Sequence, residues 1–300
     1  MADLGPLCVG IDPHPALLRD WGLEDSPEGL RRFSHMALQA VGPVAAAIKP
    51  QVALYERHGS AGLAVLEELL AAARDADVLT IADAKRGDIG STMAAYADAW
   101  LRNGSPLAAD ALTLSPYLGF ESLRPALDLA AASGRGVFVL ALTSNPEGPS
   151  VQHVGGPESV AKSIVSAAAA ENLLHLAAQA SQGTRAGSVP IRGASSVDAG
   201  VRGGTSRGDS GALGYVRLVV GATVGSALAE LGIDLQSMHG PILAPGLGAQ
   251  GATPADIRAT FGRAYPQVLA TSSRGILAAG PDLTALRTTA ERTVDRLRTE

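Results

Sequence analysis

The sequence predicts a closed (β/α)8 barrel, the TIM-barrel fold, as a single α/β domain. One observation is that short apolar runs alternate with amphipathic helical patterns along the chain. Another is that there are eight such runs, the number of strands that closes a parallel barrel. In addition, several runs are continuously apolar rather than alternating, as expected for strands that are covered on both faces.

Eight candidate strands follow one another along the chain. They cover residues 7–11, 45–48, 78–82, 109–114, 136–142, 216–221, 242–244 and 268–271. An open, doubly wound sheet is the structural alternative to a closed barrel. A dinucleotide-binding G-x-G-x-x-G is typical of the turn after the first strand of such a sheet, but Gly10-Ile11-Asp12-Pro13 stands there instead.

The stretches between the strands carry apolar residues at helical spacing. Three such stripes are Leu63, Leu66, Leu70 and Ala73; Met93, Tyr96 and Trp100; and Leu283, Leu286, Ala290, Val294 and Leu297. Stripes of this kind face a protein core far more often than a cofactor. Helix starts are predicted at Ser26 and Thr253, because each is a capping hydroxyl followed by a proline, and Asp256 adds a carboxylate to the first turn after Thr253.

Residues 182–213 break this alternation, since they are rich in Gly, Ser and Arg and poor in apolar residues. We therefore predict a flexible insertion at this place in a single domain of residues 1–300. It lies between the fifth helix and the sixth strand, and in barrels such loops are on the face opposite the active site. A non-catalytic segment is expected; a basic docking loop is the alternative.

Composition disfavours several functional classes. The net charge of −5 and the sequence pI near 5.7 argue against binding to nucleic acid or to an anionic membrane. No run approaches the ~18 consecutive apolar residues of a membrane span, and the first residues do not resemble a secretory signal. The single cysteine, Cys8, excludes an intramolecular disulfide. We expect a cytoplasmic protein, and since no histidines form a metal-ligand pair, no metal site.

Lysine is scarce in this chain. Of the 24 lysines and arginines, only Lys49, Lys85 and Lys162 are lysines. Because arginine supplies positive charge elsewhere, a retained lysine indicates a need for a compact ammonium that can release a proton. Lys162 is expected on a polar helix face, where it has no special role, whereas Lys49 and Lys85 lie at predicted strand ends.

The densest group of charges is the D-x-K-x-x-D run formed by Asp83, Lys85 and Asp88 after the third strand. Active sites of parallel barrels are built at this end of the strands. Alternation points Asp83 and Lys85 the same way, and Lys49 ends the neighbouring strand. Mutual pairing of these groups would keep the carboxylates ionised and the lysines protonated. Asp88 lies beyond a turn, from which it returns to the site or reaches a neighbouring subunit; a solvated charge run is the alternative.

A second cluster follows the seventh and eighth strands. Residues 245–251 form a glycine-rich loop containing Gln250, and Arg274 follows the eighth strand. Loops at these two places commonly hold a phosphate, which backbone N–H groups and a bidentate arginine can bind. Asp12, which ends the first strand, is a candidate for a ribose hydroxyl, and Ser144, after the fifth strand, for a base. Asp12 and Ser144 are each equally typical of a helix cap or a turn.

The run Asp-Ala-Lys-Arg-Gly-Asp-Ile-Gly-Ser-Thr at residues 83–92 resembles the signature of the orotidine 5′-phosphate decarboxylase family. Supporting matches are residues 10–13, 49–51, 142–146, 220–223 and 244–251. The chain is most similar to the bacterial type 2 branch, although its insertion is longer than expected there. The resemblance implies a cofactor-free homodimer that converts orotidine 5′-monophosphate to UMP and CO2, the last step of de novo UMP biosynthesis.

The resemblance also implies a role for each candidate residue. Lys85, Asp83, Asp88 and Lys49 would form the catalytic network, and Lys85 would protonate C6 of the pyrimidine after decarboxylation. Asp88 and Thr92 would reach into the active site of the partner subunit. Substrate would be bound by Asp12 and Lys49 at the ribose, by Ser144 at the pyrimidine, and by Gln250 and Arg274 at the phosphate, with the loop from Pro245 closing over it.

Two other functions are compatible with parts of this pattern. A related sugar-phosphate enzyme, such as a 3-keto-gulonate-phosphate decarboxylase or a hexulose-phosphate synthase, would share the barrel and the D-x-K-x-x-D run. A resemblance to those enzymes would imply Mg²⁺ and an acidic residue on the second strand. This chain has Lys49 at that place, which argues against them. A catalytically silent nucleotide-phosphate binder is the other alternative, and the complete charged set argues against it.

Overall fold

The computed structural model describes residues 4–186, 213–249 and 251–299, with side chains described up to residue 181 in the first range. In these ranges the strands are β1 (Leu7–Ile11), β2 (Ala47–Pro50), β3 (Ile81–Arg86), β4 (Ala111–Leu114), β5 (Gly136–Leu142), β6 (Val216–Val220), β7 (Ile242–Pro245) and β8 (Val268–Ser272). The helices are α1 (Pro15–Asp20), α2 (Pro27–Val41), α3 (Ala53–Glu56), α4 (Gly59–Asp75), α5 (Gly90–Leu101), α6 (Arg124–Ser133), α7 (Pro149–Gln152), α8 (Val160–Ala186), α9 (Gly225–Glu230), α10 (Pro254–Phe261), α11 (Arg274–Leu277) and α12 (Leu283–Thr299).

All the neighbouring strands pair in parallel, in the order β2-β1-β8-β7-β6-β5-β4-β3. The two ends of this sheet meet, because single bridges join Ile48 to Thr80 and Gln51 to Asp83 across β2 and β3. The predicted closed barrel is therefore confirmed, and the open sheet is excluded.

The core has two layers. Inside the barrel, apolar side chains fill the centre: Cys8, Ala46, Ala47, Ile81, Ala111, Phe138, Val219, Leu243 and Leu269. Between the strands and the helices lies a larger apolar layer that includes residues of all three predicted stripes. Both predicted helix caps are present: Gly29 N–H donates to Ser26 Oγ, and Thr253 and Asp256 form a reciprocal capping box.

β2 and β3 extend two and four residues further toward their carboxyl ends than predicted. β2 was predicted at 45–48 and runs over Ala47–Pro50, while β3 was predicted at 78–82 and runs over Ile81–Arg86. Apolar content marks the buried part of each strand, but pairing with its neighbours continues into charged residues. Lys49, Asp83 and Lys85 therefore lie within strands rather than after them.

The predicted insertion begins later than expected. Helix α8 continues to Ala186, so residues 182–186, which were assigned to the insertion, are helical. The buried Asn172 ties this helix to β6, since its Nδ2 donates to Val216 O at 2.7 Å and its Oδ1 accepts from Val216 N at 3.0 Å. Residues 187–212 of the predicted insertion lie outside the described residues. In the described ranges, no helix has the length and apolar character needed to cross a bilayer.

Candidate active site

A cavity of about 480 Å³ opens at the carboxyl ends of the strands. Its walls include most of the residues that sequence analysis selected, namely Asp12, Lys49, Asp83, Lys85, Ser144 and Arg274. They come from the ends of β1, β2, β3, β5 and β8, so residues far apart in the chain meet at one mouth of the barrel. This is the place where parallel barrels build their active sites.

The Asp83 carboxylate is the centre of the charged group. Its Oδ2 accepts a hydrogen bond of 2.5 Å from Lys49 Nζ and one of 3.2 Å from Gln51 Nε2. Its Oδ1 accepts one of 2.6 Å from Lys85 Nζ and one of 3.1 Å from Thr113 Oγ1. Each oxygen therefore has one ammonium donor and one neutral donor, which holds the carboxylate in a single orientation.

Burial makes this arrangement electrostatically strong. The side chains of Lys49 and Asp83 are 7 % and 8 % exposed, whereas that of Lys85 is 44 % exposed. Burial raises the pKa of Asp83, but the charges of Lys49 and Lys85 outweigh burial and bring that pKa down to about 2. Burial lowers the pKa of Lys49, but the carboxylates of Asp83 and Asp12 outweigh it, and the net direction is upward. Asp83 and Lys49 are therefore an ion pair at neutral pH.

Lys85 reaches Asp83 because β3 is bulged at this point. β3 pairs with β4 through Ala82 and Leu112 and then through Arg86 and Leu114, so three residues of β3 stand opposite one residue of β4. Within the bulge Lys85 has a φ of +48°, in the left-handed region that side chains rarely adopt. Regular alternation was expected to bring the two side chains together, and a bulge does so instead.

Arg86 belongs to the same run but faces the helical layer. Its guanidinium forms an ion pair with Glu56 of α3 and lies 5.5 Å from the ring centroid of Tyr96 on α5. It therefore anchors the end of β3 to two helices.

The other end of the cavity carries the predicted phosphate-binding residues. Arg274 begins α11, lines the cavity, and makes no ion pair with any described residue. The loop after β7 folds back on itself, since Gly248 N–H donates to Ala252 O at 2.9 Å, and its residues Gly246 and Ala249 also line the cavity. Gln250, the other residue predicted to bind phosphate, lies outside the described residues.

Several buried polar atoms between these two ends lack a partner among the described residues. They are Asp12 Oδ1, Thr271 Oγ1 and Ser273 Oγ, and all three residues line the cavity. Buried polar groups in folded proteins are nearly always hydrogen-bonded, so unpaired ones on a cavity wall indicate a polar ligand. Asp12 was predicted for this role, whereas Thr271 and Ser273 were not.

Asp88 and Thr92 do not face the cavity of their own chain. Asp88 Oδ1 accepts a hydrogen bond of 2.8 Å from Ile89 N–H, and Thr92 is exposed on α5. Asp88 therefore does not return to Lys85 within its own chain, which was one of the two predicted alternatives.

No role was predicted for Gln51 or Thr113, although both donate to Asp83. The position of Gln51 beside Lys49 in a matching segment was an available signal. Thr113 carries no such signal, because its place beside Asp83 depends on how β3 and β4 pair. Among the described residues, no group of three or more His, Cys, Asp and Glu side chains is arranged to hold a metal ion.

Comparison with known proteins gives consistent results. The profile of the orotidine 5′-phosphate decarboxylase / HUMPS family matches residues 5–289. Orotidine 5′-phosphate decarboxylase from Salinispora arenicola is 49 % identical over 292 residues, covering 97 % of this chain and 92 % of the relative. The enzyme of the same name from Streptomyces coelicolor is also 49 % identical, over 302 residues, covering 100 % of this chain and 94 % of the relative.

Solved structures agree with these relatives. The crystal structure of a Streptomyces avermitilis protein, described as an orotidine 5′-phosphate decarboxylase, superimposes with a TM-score of 0.82 at 50 % identity, covering 99 % of this chain and 92 % of that one. A Toxoplasma gondii protein described as an orotidine-monophosphate decarboxylase is 28 % identical, with a TM-score of 0.73, and the match covers 98 % of this chain and 92 % of that one.

Proposed function

The chain belongs to the orotidine 5′-phosphate decarboxylase / HUMPS family, and from that premise we propose how its cavity converts orotidine 5′-monophosphate to UMP and CO2. The activity itself follows from 49 % identity to enzymes of that name over nearly the whole chain. It is a carboxy-lyase reaction and the last step of de novo UMP biosynthesis. The predicted family resemblance is thereby confirmed.

The chemical difficulty lies at C6 of the pyrimidine. When the bond between C6 and the carboxylate breaks, its electron pair stays on C6, and the ring has no electron sink placed to receive it. A protein without a cofactor must stabilise that charge electrostatically, with groups oriented before the reaction begins. The observation that carries our proposal is the buried Asp83 carboxylate held between the ammonium groups of Lys49 and Lys85 on the cavity wall.

Lys85 is the group we assign to proton transfer. Its ammonium stabilises the developing negative charge on C6, and an Nζ–H bond then breaks as the C6–H bond forms, which leaves Lys85 neutral until water reprotonates it. Its exposure toward the cavity and its hydrogen bond to Asp83 support this role. A charge pair at ~4 Å is worth about 4 kcal/mol at an effective dielectric constant of ~20, and more when water is excluded.

Asp83 and Lys49 set the field around that proton donor. The Asp83 carboxylate would stand beside the carboxylate of the substrate, and repulsion between the two like charges is relieved when CO2 leaves. Lys49 keeps Asp83 ionised in spite of its burial, and its pairing offsets part of the desolvation cost. Lys49 also lines the cavity, where we assign it with Asp12 to the ribose hydroxyls.

We assign the remaining polar groups to substrate binding. Arg274 and Gln250 would bind the phosphate, and Ser144 the pyrimidine. The absence of an ion-pair partner for Arg274 among the described residues supports an anionic ligand there. Phosphate contacts are remote from C6, but their binding energy can drive the loop from Pro245 to close over the substrate.

We further propose that the enzyme is a homodimer in which Asp88 and Thr92 enter the partner's cavity. Neither lines the cavity of its own chain, and the neighbouring ends of β3 and β4 are followed by three exposed apolar residues, Ile89, Tyr117 and Leu118. These three side chains are 61 %, 80 % and 54 % exposed. Large apolar side chains that are exposed close together commonly mark protein interfaces.

We place the enzyme in the cytoplasm, because a nucleotide that carries both a phosphate and a carboxylate does not cross a membrane unaided. Fractionation of cells that express the tagged protein would test this assignment.

The assay that tests the function follows the loss of orotidine 5′-monophosphate absorbance with purified protein in the presence of EDTA. We expect full turnover, because no step in the proposed mechanism needs a metal. Loss of activity that Mg²⁺ restores would favour the related sugar-phosphate enzymes. Tight binding of UMP without turnover would mean that the protein is a nucleotide binder.

A further inference from the structure

We propose that Thr113 of β4 is a positioning residue, which holds the Lys85 ammonium and the Asp83 carboxylate in register for proton transfer without touching the substrate. The inference rests on the roles proposed above for these two residues. Neither the family signature nor the cavity wall includes Thr113.

Thr113 lies directly behind the charged group. It is 1 % exposed, and it shares the inward face of β4 with Ala111, which belongs to the apolar centre of the barrel. Asp83 and Lys85 line the cavity and Thr113 does not, so a bound ligand would contact the first two alone. Any effect of Thr113 on the reaction must therefore pass through its neighbours.

The hydroxyl of Thr113 takes the place of a backbone partner inside the β3 bulge. Lys85 N–H donates to Thr113 Oγ1 at 2.9 Å, at a point where the regular ladder between β3 and β4 is interrupted. Lys85 has a φ of +48° here, and a side-chain-bearing residue keeps such a conformation only when its surroundings hold it. Thr113 supplies that restraint, and the conformation aims the Lys85 side chain at Asp83.

The same hydroxyl also orients Asp83. Thr113 Oγ1 lies 3.1 Å from Asp83 Oδ1, the oxygen that accepts from Lys85 Nζ. A hydroxyl has one hydrogen to donate and lone pairs to accept, so it can accept from Lys85 N–H and donate to Asp83 at once. Removing it would leave a backbone N–H without an acceptor and Asp83 Oδ1 with one donor in place of two.

Thr113→Val tests the proposal, because valine keeps the shape of the side chain and removes the hydroxyl. We expect kcat to fall by on the order of 10- to 100-fold, since small misplacements of catalytic groups have effects of this size. The KM for orotidine 5′-monophosphate and the Kd for UMP should stay within about threefold of wild type, because the ligand contacts are unchanged. Thr113→Ser keeps the hydroxyl and should restore kcat to within about threefold.

Thr80→Val is the matched control. Thr80 is 3 % exposed, accepts from Asp110 N–H at 3.2 Å and donates to Asp110 Oδ2 at 2.9 Å, so its hydroxyl bridges a backbone N–H and a carboxylate near the opposite ends of β3 and β4. We expect the Thr80 and Thr113 valine variants to lower the unfolding temperature similarly, and only the Thr113 variant to lower kcat.

Three results would overturn the inference: an unchanged kcat in Thr113→Val, an equal loss in Thr113→Ser, or an equal loss in Thr80→Val. Should the valine variant not fold, Thr113→Ala takes its place with the same expectations, because it adds no atoms. Absence of turnover in the wild-type protein would instead refute the proposed function, so the two failures are distinguishable.

Discussion

The ammonium group of Lys85 lies 2.6 Å from Asp83 Oδ1, and only Ala84 separates the two residues along β3. In an extended strand, side chains two apart stand side by side on one face; here the bulge and the left-handed backbone at Lys85 turn the ammonium onto the carboxylate. The proton donor and its charged neighbour are therefore placed by the backbone before any ligand binds.

Replacing Lys85 with alanine removes the proposed proton donor. We expect Lys85→Ala to lower kcat by at least about 100-fold, because general acid catalysis contributes on the order of 10²- to 10⁴-fold. UMP should still bind, since the phosphate end of the cavity is untouched, and calorimetry would measure this. Lys162→Ala is the control, because Lys162 donates to Pro157 O on the surface of α8 and should not affect turnover. Substantial turnover by Lys85→Ala would refute the assignment.

Asp83 should make the stability of the fold depend on acid pH. Its pKa is about 2 in the folded protein against a reference of 3.8, so the folded form binds the proton less tightly than the unfolded form. The stabilisation is complete above about pH 4 and is lost as the pH falls toward 2. Since one pKa unit corresponds to about 1.4 kcal/mol, wild type should lose roughly 2 kcal/mol more than Asp83→Asn over this interval.

Urea unfolding at several pH values measures this difference directly. Other carboxylates titrate in both proteins and cancel in the comparison. At neutral pH we expect Asp83→Asn to be the less stable protein, because the buried Lys49 ammonium loses its charged partner. Parallel pH dependences for the two proteins would mean that Asp83 is not the stabilised carboxylate.

Arg274→Ala should weaken phosphate binding selectively. A hydrogen bond to a charged group contributes about 1.5–3 kcal/mol, so the Kd for UMP should rise by roughly 10- to 100-fold. Affinity for uridine, which lacks the phosphate, should change little. Arg292→Ala, which removes an exposed arginine on α12, controls for the loss of general positive charge. Equal losses for UMP and uridine would show that Arg274 acts on the fold and not on the phosphate.

The shared active site can be tested by mixing two inactive variants. In a two-fold symmetric dimer, Lys85→Ala and Asp88→Asn each damage both sites, but a mixed dimer has one site with both residues intact. Random re-association of equal amounts should restore about a quarter of the wild-type activity, since half of the dimers are mixed and each has one intact site. No recovery, in a mixture shown to exchange subunits, would place Asp88 outside the partner's site.

A large part of this architecture could be predicted from the sequence. All eight strands were located, because strands buried on both faces leave continuous apolar runs. The stripes at 63–73, 93–100 and 283–297 became core-facing helices, since periodicity records which face of a helix is buried. Lys49, Asp83 and Lys85 could be placed at one mouth of the barrel, because parallel strands bring their carboxyl ends together.

Other features were decided only by the tertiary structure. The extension of β3 through Arg86, its bulge, and the left-handed conformation of Lys85 all depend on pairing with β4, which is about 30 residues further along the chain. Thr113 and Gln51 became partners of Asp83 for the same reason, and Asp88 was directed away from the cavity of its own chain.

The difference between the features that the sequence predicted and those that only the tertiary structure decided has a physical basis. Hydrophobic periodicity and short motifs are local, so the sequence alone determined the barrel, the order of its elements and the chemical identity of the charged residues. The hydrogen bonds that orient those charges join residues of different strands, and their geometry depends on register. A single threonine in an apolar strand has no periodic signature, and only the folded barrel brings its hydroxyl to Lys85 and Asp83.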